Sequence, residues 1–213
     1  MRKGDIKTLL ISSPDHGLVY MLNRRLAETI EDKELVNVGE ASFRIQEVRI
    51  LKPRLRRSCR IIAGTPIVIR IPKEDYKRYK IKPPRDYNYV YWRKQYPLGA
   101  FIKQLEDNLF KKYNDFHNSS LDCFQLFEQF VFKKHVCNHV VIRGREVKVL
   151  GSIWEFIFSY LNEEQIKILQ FGLDCGFGEL NSMGFGFMNV IEEPTTPRLK
   201  AGASMGDFYD NQH

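Results

Sequence analysis

What the chain lacks narrows its class before any motif is read. Its four cysteines, Cys59, Cys123, Cys137 and Cys175, include no CxxC pair in 213 residues. That excludes a zinc ribbon or a disulfide framework legible from spacing, and it fits reduced thiols in an intracellular protein. No apolar run approaches the roughly 20 residues needed to cross a bilayer. The opening MRKGDIKTLLISSPD meets an aspartate before a signal-like stretch can develop. The expectation is a soluble, cytoplasmic chain with no membrane contact. Acidic residues are also in deficit, 26 against 33 lysines and arginines, leaving a formal charge of +7. A chain of that sign attracts polyanions, nucleic acid first among them.

What is present is enough for a core. With 43% hydrophobic and 13% aromatic residues the chain is not disordered as a whole. Lys7 to Ser12 reads as a short strand, and Ser13 caps a helix with Pro14 at its first position. Leu18, Met21, Leu22, Leu26 and Ile30 give that helix one apolar stripe. Alternation through Phe43, Ile45, Val48 and Ile50 then predicts a strand ending at Pro53. A second unit begins near Cys59, with Pro66 to Ile71 as its first strand and a basic, tyrosine-rich excursion over 72–97. A helix from Leu98, a strand over Phe124 to Ile142, and a hairpin tip at Arg143-Gly144-Arg145 follow. A helical stretch from Ile153 to Phe171, restarted at Asn162, and a strand from Phe185 to Ile191 complete it.

That order, β-α-β-β-α-β, is the ferredoxin-like plan, and the first unit holds only its second half, β-α-β. The expected class is α+β with tandem ferredoxin-like domains, the first incomplete. Residues 1–57 form the partial domain, 58–193 the full one, and 194–213, rich in glycine, proline, threonine and serine, a disordered tail. A half unit leaves strand edges and its helix stripe poorly covered. An N-terminal half domain is therefore expected to be missing from this chain.

Three constellations could carry chemistry. Between Gly172 and Gly186, glycines 176, 178, 184 and 186 surround Asn181-Ser182. Glycines allow positive φ, so backbone N–H groups can converge on phosphate oxygens. No Gly-Lys-Ser/Thr makes the loop a Walker A motif, and the plain alternative is a tight helix-to-strand connection. Its end, Met183 to Val190, is similar to the RNP1 strand of an RNA-recognition motif, leaving Phe185 and Phe187 either as stacking platforms or as core. The second constellation is the basic run Arg44, Arg49, Lys52, Arg54, Arg56, Arg57 and Arg60, interrupted only by Glu47, at the junction between the units. It reads as a phosphate-binding stripe, the plain alternative being a solvated strand end and linker. The third is His135, Cys137 and His139, which share a strand face. No fourth ligand has recognisable spacing, so the face reads as polar and RNA-facing, not as a metal site.

Together these residues resemble the CRISPR-associated endoribonucleases that process repeat RNA, within the repeat-associated mysterious protein superfamily. The likeness rests on Gly176-Phe-Gly-Glu-Leu-Asn-Ser-Met-Gly-Phe-Gly186, on Gly64-Thr-Pro-Ile-Val-Ile69, and on Val90-Tyr91-Trp92 followed by the helix ending in Lys112-Tyr113. It spans roughly residues 5 to 192. It implies metal-independent cleavage of CRISPR repeat RNA into guide RNAs for antiviral defence, by 2′-hydroxyl attack and without a cofactor. It admits other CRISPR effector subunits, or a second copy of the chain, as partners. The family's acid/base residues lie on the first helix of its N-terminal domain, and no histidine of this chain matches that position. The catalytic residue is thus unassigned, and a binding-only member or a structural subunit stays open beside the nuclease. RNA contacts are expected from Arg54, Arg56, Arg57, Arg60, Gly176, Gly178, Asn181, Ser182, Gly184 and Gly186.

Overall fold

The computed structural model describes residues 4–191 apart from Glu40, Pro84 and Arg143. The tail expected from Pro194 lies outside the described residues. The elements run α1 (His16–Glu31), β1 (Leu35–Val38), β2 (Ala41–Arg44), β3 (Cys59–Ala63), β4 (Arg70–Pro72), β5 (Tyr89–Tyr91), α2 (Leu98–His117), β6 (Gln129–Ile142), β7 (Arg145–Phe158), α3 (Glu163–Cys175) and β8 (Met188–Ile191).

β6, β7, β3 and β8 form one antiparallel sheet in that order. The two central strands are thus the first and third of the unit, and its edges the second and fourth, which is the ferredoxin-like arrangement. Period-two alternation sends Cys59, Ile61 and Ala63 of β3, with Trp154, Phe156 and Phe158 of β7, into one core. Leu105, Leu109 and Phe110 of α2 and Ile168 and Leu169 of α3 close over it. Gly172 of α3 makes the helix approach close: a Cβ there would sit 2.6 Å from the Phe177 ring and 3.0 Å from Leu109.

The other sheet face carries a polar row across three strands. Glu155 of β7 is 3% exposed, and its carboxylate is bracketed by Arg60 of β3 and Lys133 of β6. Those two cations hold its pKa below the usual carboxylate value. A buried carboxylate left alone is costly, so the row has to form as a unit.

Several boundaries differ from the sequence reading. The first strand of the second unit is Cys59–Ala63. Ile67 and Val68 are fully buried but make only isolated bridges, to Ser152 and Glu179. A continuous apolar run signals burial on both sides, not membership of a sheet. Ile153 to Phe158 continues β7 and is not helical, because Trp154, Phe156 and Phe158 alternate inward. The helix starts only at Asn162, whose side chain accepts from Gln165 N at 2.8 Å while Gln165 accepts from Asn162 N at 3.0 Å.

In the first unit, Asp15 and not Ser13 caps α1, accepting from Leu18 N at 3.0 Å. Among the described residues no strand pairs with 7–12, and Ile6, Leu9 and Ile11 are exposed. The strand expected over 43–50 stops at Arg44 and belongs to a hairpin with β1. A two-stranded ribbon gives a helix little cover, and α1 has no buried residue: Leu18 and Met21 lie open on the stripe that should face a core.

Candidate nucleic-acid interface

The glycine-rich loop leaves the C-terminus of α3 and is pinned from every side. Phe177 N donates to Gly186 O and Gly186 N to Pro66 O, each at 2.9 Å, so the loop closes on itself and on the segment before Ile67. Glu179 N donates to Val68 O at 2.9 Å, and Phe187 N to the Thr65 hydroxyl at 2.8 Å. Phe177 is fully buried against Phe127 and Phe156.

At its centre stands a residue that sequence reasoning did not single out as functional. The Lys112 ammonium, on α2, donates to Gly176 O at 2.9 Å, Gly178 O at 2.6 Å and Asn181 Oδ1 at 2.7 Å. Three donors meet three oxygens, which saturates the group. Burial lowers its pKa below the ordinary lysine value, while the oxygens surrounding it favour the charged form. The signal was in the likeness itself, through Lys112-Tyr113, but nothing in helical periodicity distinguishes this lysine from a solvated one. Lys112→Met keeps the stem and strands three acceptors. It is expected to destabilise the chain by about 2 kcal/mol, read as a fall in the urea midpoint, and Lys112→Arg should not restore it because a planar fork cannot converge on one point.

The structure divides the expected contact residues into two groups. Gly176, Gly178 and Gly186 are buried, so they shape the loop from inside and present no surface to a phosphate. Asn181 is committed as well: besides receiving Lys112, its Nδ2 donates to Phe177 O at 3.2 Å and Phe185 O at 2.9 Å. Ser182 and Gly184 reach solvent at the loop tip. Phe185 is 4% exposed, packed with Val68 and Val149, which resolves its role in favour of core.

Arg54, Arg56 and Arg57 are exposed. Their segment is clasped to α3 by one side chain, Gln170, which donates to Pro53 O at 3.0 Å and accepts from Leu55 N at 3.1 Å. Leu55 is buried between them. Arg57 leans on Tyr160 and reaches Glu163 at 3.6 Å. Arg60 is set apart, since its guanidinium is engaged with Glu155 on the open sheet face. The arginine segment meets α3 at two points, Arg57 at its first residue and the Pro53 and Leu55 backbone at Gln170, five residues before the loop leaves at Cys175.

The histidines are dispersed. His135 accepts from Lys94 N at 2.9 Å and packs on Trp92 and Phe132, with its pKa lowered chiefly by burial. His139 pairs with Glu146, and His117 lies against Tyr113 and Phe171.

The three segments that carried the resemblance, 64–69, 176–186 and Lys112, thus converge on one interlocked structure. Residues 50–190 match the family model described as CRISPR associated protein Cas6, C-terminal. A Methanocaldococcus jannaschii protein named CRISPR-associated endoribonuclease Cas6 2 is 31% identical over 201 residues, covering 89% of this chain and 75% of the relative. The chain belongs to the Cas6 family. Its matched Cas6 relatives bear the name endoribonuclease. The Haloferax mediterranei CRISPR-associated endoribonuclease Cas6 is 28% identical, with 91% of this chain and 73% of the relative covered. Among solved structures, a CRISPR associated protein Cas6 superposes with a TM-score of 0.58 at 24% identity, over 85% of this chain and 66% of the other. A protein described as an RAMP protein binding different RNA substrates gives 0.55 at 20% identity, over 85% of this chain and 67% of the other. The chain spans about three quarters of the curated Cas6 relatives and two thirds of the solved ones. The solved likenesses carry the fold, α+β of the tandem ferredoxin-like class. Among the described residues no helix is long and apolar enough to cross a membrane.

Proposed function

We propose that this chain binds CRISPR repeat RNA and takes part in its cleavage to guide RNAs. The observation that carries the reading is membership of the Cas6 family at 31% identity to a protein named an endoribonuclease. The reading divides the chain into a partial domain over 1–57, a complete one over 58–193 and a tail from 194. Arg54, Arg56 and Arg57 contact phosphates, Ser182 and Gly184 meet the backbone at the loop tip, and Arg60 adds positive potential on the sheet. Buried Gly176, Gly178 and Gly186, with half-buried Asn181, hold the tip in place.

In the proposed reaction the ribose 2′-oxygen attacks the adjacent phosphorus, the bond from phosphorus to the 5′-oxygen breaks, and a 2′,3′-cyclic phosphate and a 5′-hydroxyl result. The 2′-hydroxyl gives up its proton to a base and the leaving oxygen gains one. Such a reaction needs in-line orientation and stabilisation of the charged phosphorane, and it needs no metal. The acid and base are not assigned to residues of this chain.

Repeat RNA incubated with the protein in EDTA should yield a cyclic-phosphate product, and a single 2′-deoxy substitution at the cut should abolish it. Cleavage of the deoxy substrate, or strict dependence on a divalent ion, would overturn the mechanism. A second reading, RNA binding without cleavage, is favoured by His117, His135 and His139, which partner residues outside the loop tip. It predicts a retained complex and no product in the same assay.

A further inference from the structure

Arg70 and Tyr89 stand together on the β4–β5 ribbon, next to the glycine loop. Tyr89 is 40% exposed, and the guanidinium carbon of Arg70 lies 4.9 Å from its ring centroid. Arg70 is fixed by Glu179 of the loop, which accepts from Arg70 N at 3.0 Å and ion-pairs with its guanidinium. Tyr91 buttresses Tyr89 edge-on, with ring centroids 5.6 Å apart and planes at 79°. Tyr91 itself packs against the small cluster of Val68, Val149 and Phe185. Two flat groups are therefore held rigid at the surface by the same loop that forms the candidate interface.

The charge of the assembly decides what it can recognise. Glu179 cancels Arg70, so the pair offers little attraction to a phosphate. What it presents is an aromatic ring backed by a planar guanidinium, whose conformational freedom is already spent on Glu179 and Tyr91. Unpaired RNA bases stack on such surfaces, while bases inside a duplex have their faces covered. We propose that the Arg70–Tyr89 pair is a stacking site for an unpaired nucleobase of bound RNA. The proposal rests on the RNA-binding reading above and deepens it by separating a base-dependent contact from the charge-dependent one.

The test compares an unstructured oligoadenylate with the same ribose–phosphate chain lacking bases. The parent protein should bind the strand with bases more tightly. Tyr89→Ala should shrink that advantage by roughly fivefold to a hundredfold and leave the salt slope of binding unchanged, because no phosphate contact is lost. Tyr89→Phe should keep the advantage. Tyr89→Leu, which retains bulk in case the alanine variant folds poorly, should lose it. If the alanine and leucine variants keep the full advantage, the stacking site is refuted while salt-dependent RNA binding by the parent still stands. If the parent binds neither strand, the RNA reading falls and the stacking site with it.

Discussion

Replacing Gly186 by alanine is expected to cost about 4 kcal/mol of stability, a large share of the ~5–15 kcal/mol that holds a domain together. An added Cβ would lie 1.9 Å from Phe177 O and 2.8 Å from Asn181 Nδ2. The first is backbone and cannot swing aside, since Phe177 N is itself bonded to Gly186 O and the Phe177 ring is fully buried. Backbone strain adds to the clash, because φ is +71° at this residue. Gly184→Ala is the control: its φ is +85° but a Cβ there meets nothing within 4 Å, so only about 1 kcal/mol of strain applies. Urea denaturation of the two variants should therefore give midpoints well separated from each other. Equal midpoints would mean that the loop rearranges, and that its closure on residues 64–69 does not constrain the fold.

Changing Arg54, Arg56 and Arg57 together to glutamine should weaken RNA binding on the order of a hundredfold near 0.1 M salt. Each phosphate contact releases counterions, so the slope of log affinity against log salt should fall by about 1 per arginine removed, about 3 in all. Arg57 is expected to give the smallest share, because it already reaches Glu163 and Tyr160. The fold should tolerate the triple change, since the segment is held by Gln170 through backbone groups and by buried Leu55. Unchanged affinity and slope in a folded triple variant would remove this stripe from the interface.

How far the sequence revealed this site depends on the kind of signal each part gives. The β6–β7 hairpin was legible because Phe124 to Ile142 and Val147 onward alternate around a glycine tip, while the central strand β3 was read at Pro66 to Ile71 instead of Cys59–Ala63. The extent of β7 was not legible, since Trp154, Ile157 and Leu161 satisfy a helical period as well as Trp154, Phe156 and Phe158 satisfy a strand. Glycine spacing pointed to the loop but not to its direction. Positive φ is needed equally by a loop that opens its N–H groups to a ligand and by one that folds its carbonyls inward around an ammonium. Only the position of Lys112, 64 residues before Gly176 in the chain, distinguishes the two. Likewise nothing in the arginine run indicates that Arg60 faces Glu155, a partner 95 residues away.

The central place of β3 has a consequence for how the chain is made. β3 ends at Ala63, and its partner on one side, β8, begins at Met188. During synthesis at about 5–20 residues per second, one edge of β3 waits on the order of 10 s for its last neighbour to leave the ribosome. Until then Arg60 to Ala63 present an unpaired ladder, and the unpaired edge belongs to the strand that must later sit in the middle of the sheet. The nascent chain is thus most exposed to wrong pairing along the strand that is best protected once folding is complete.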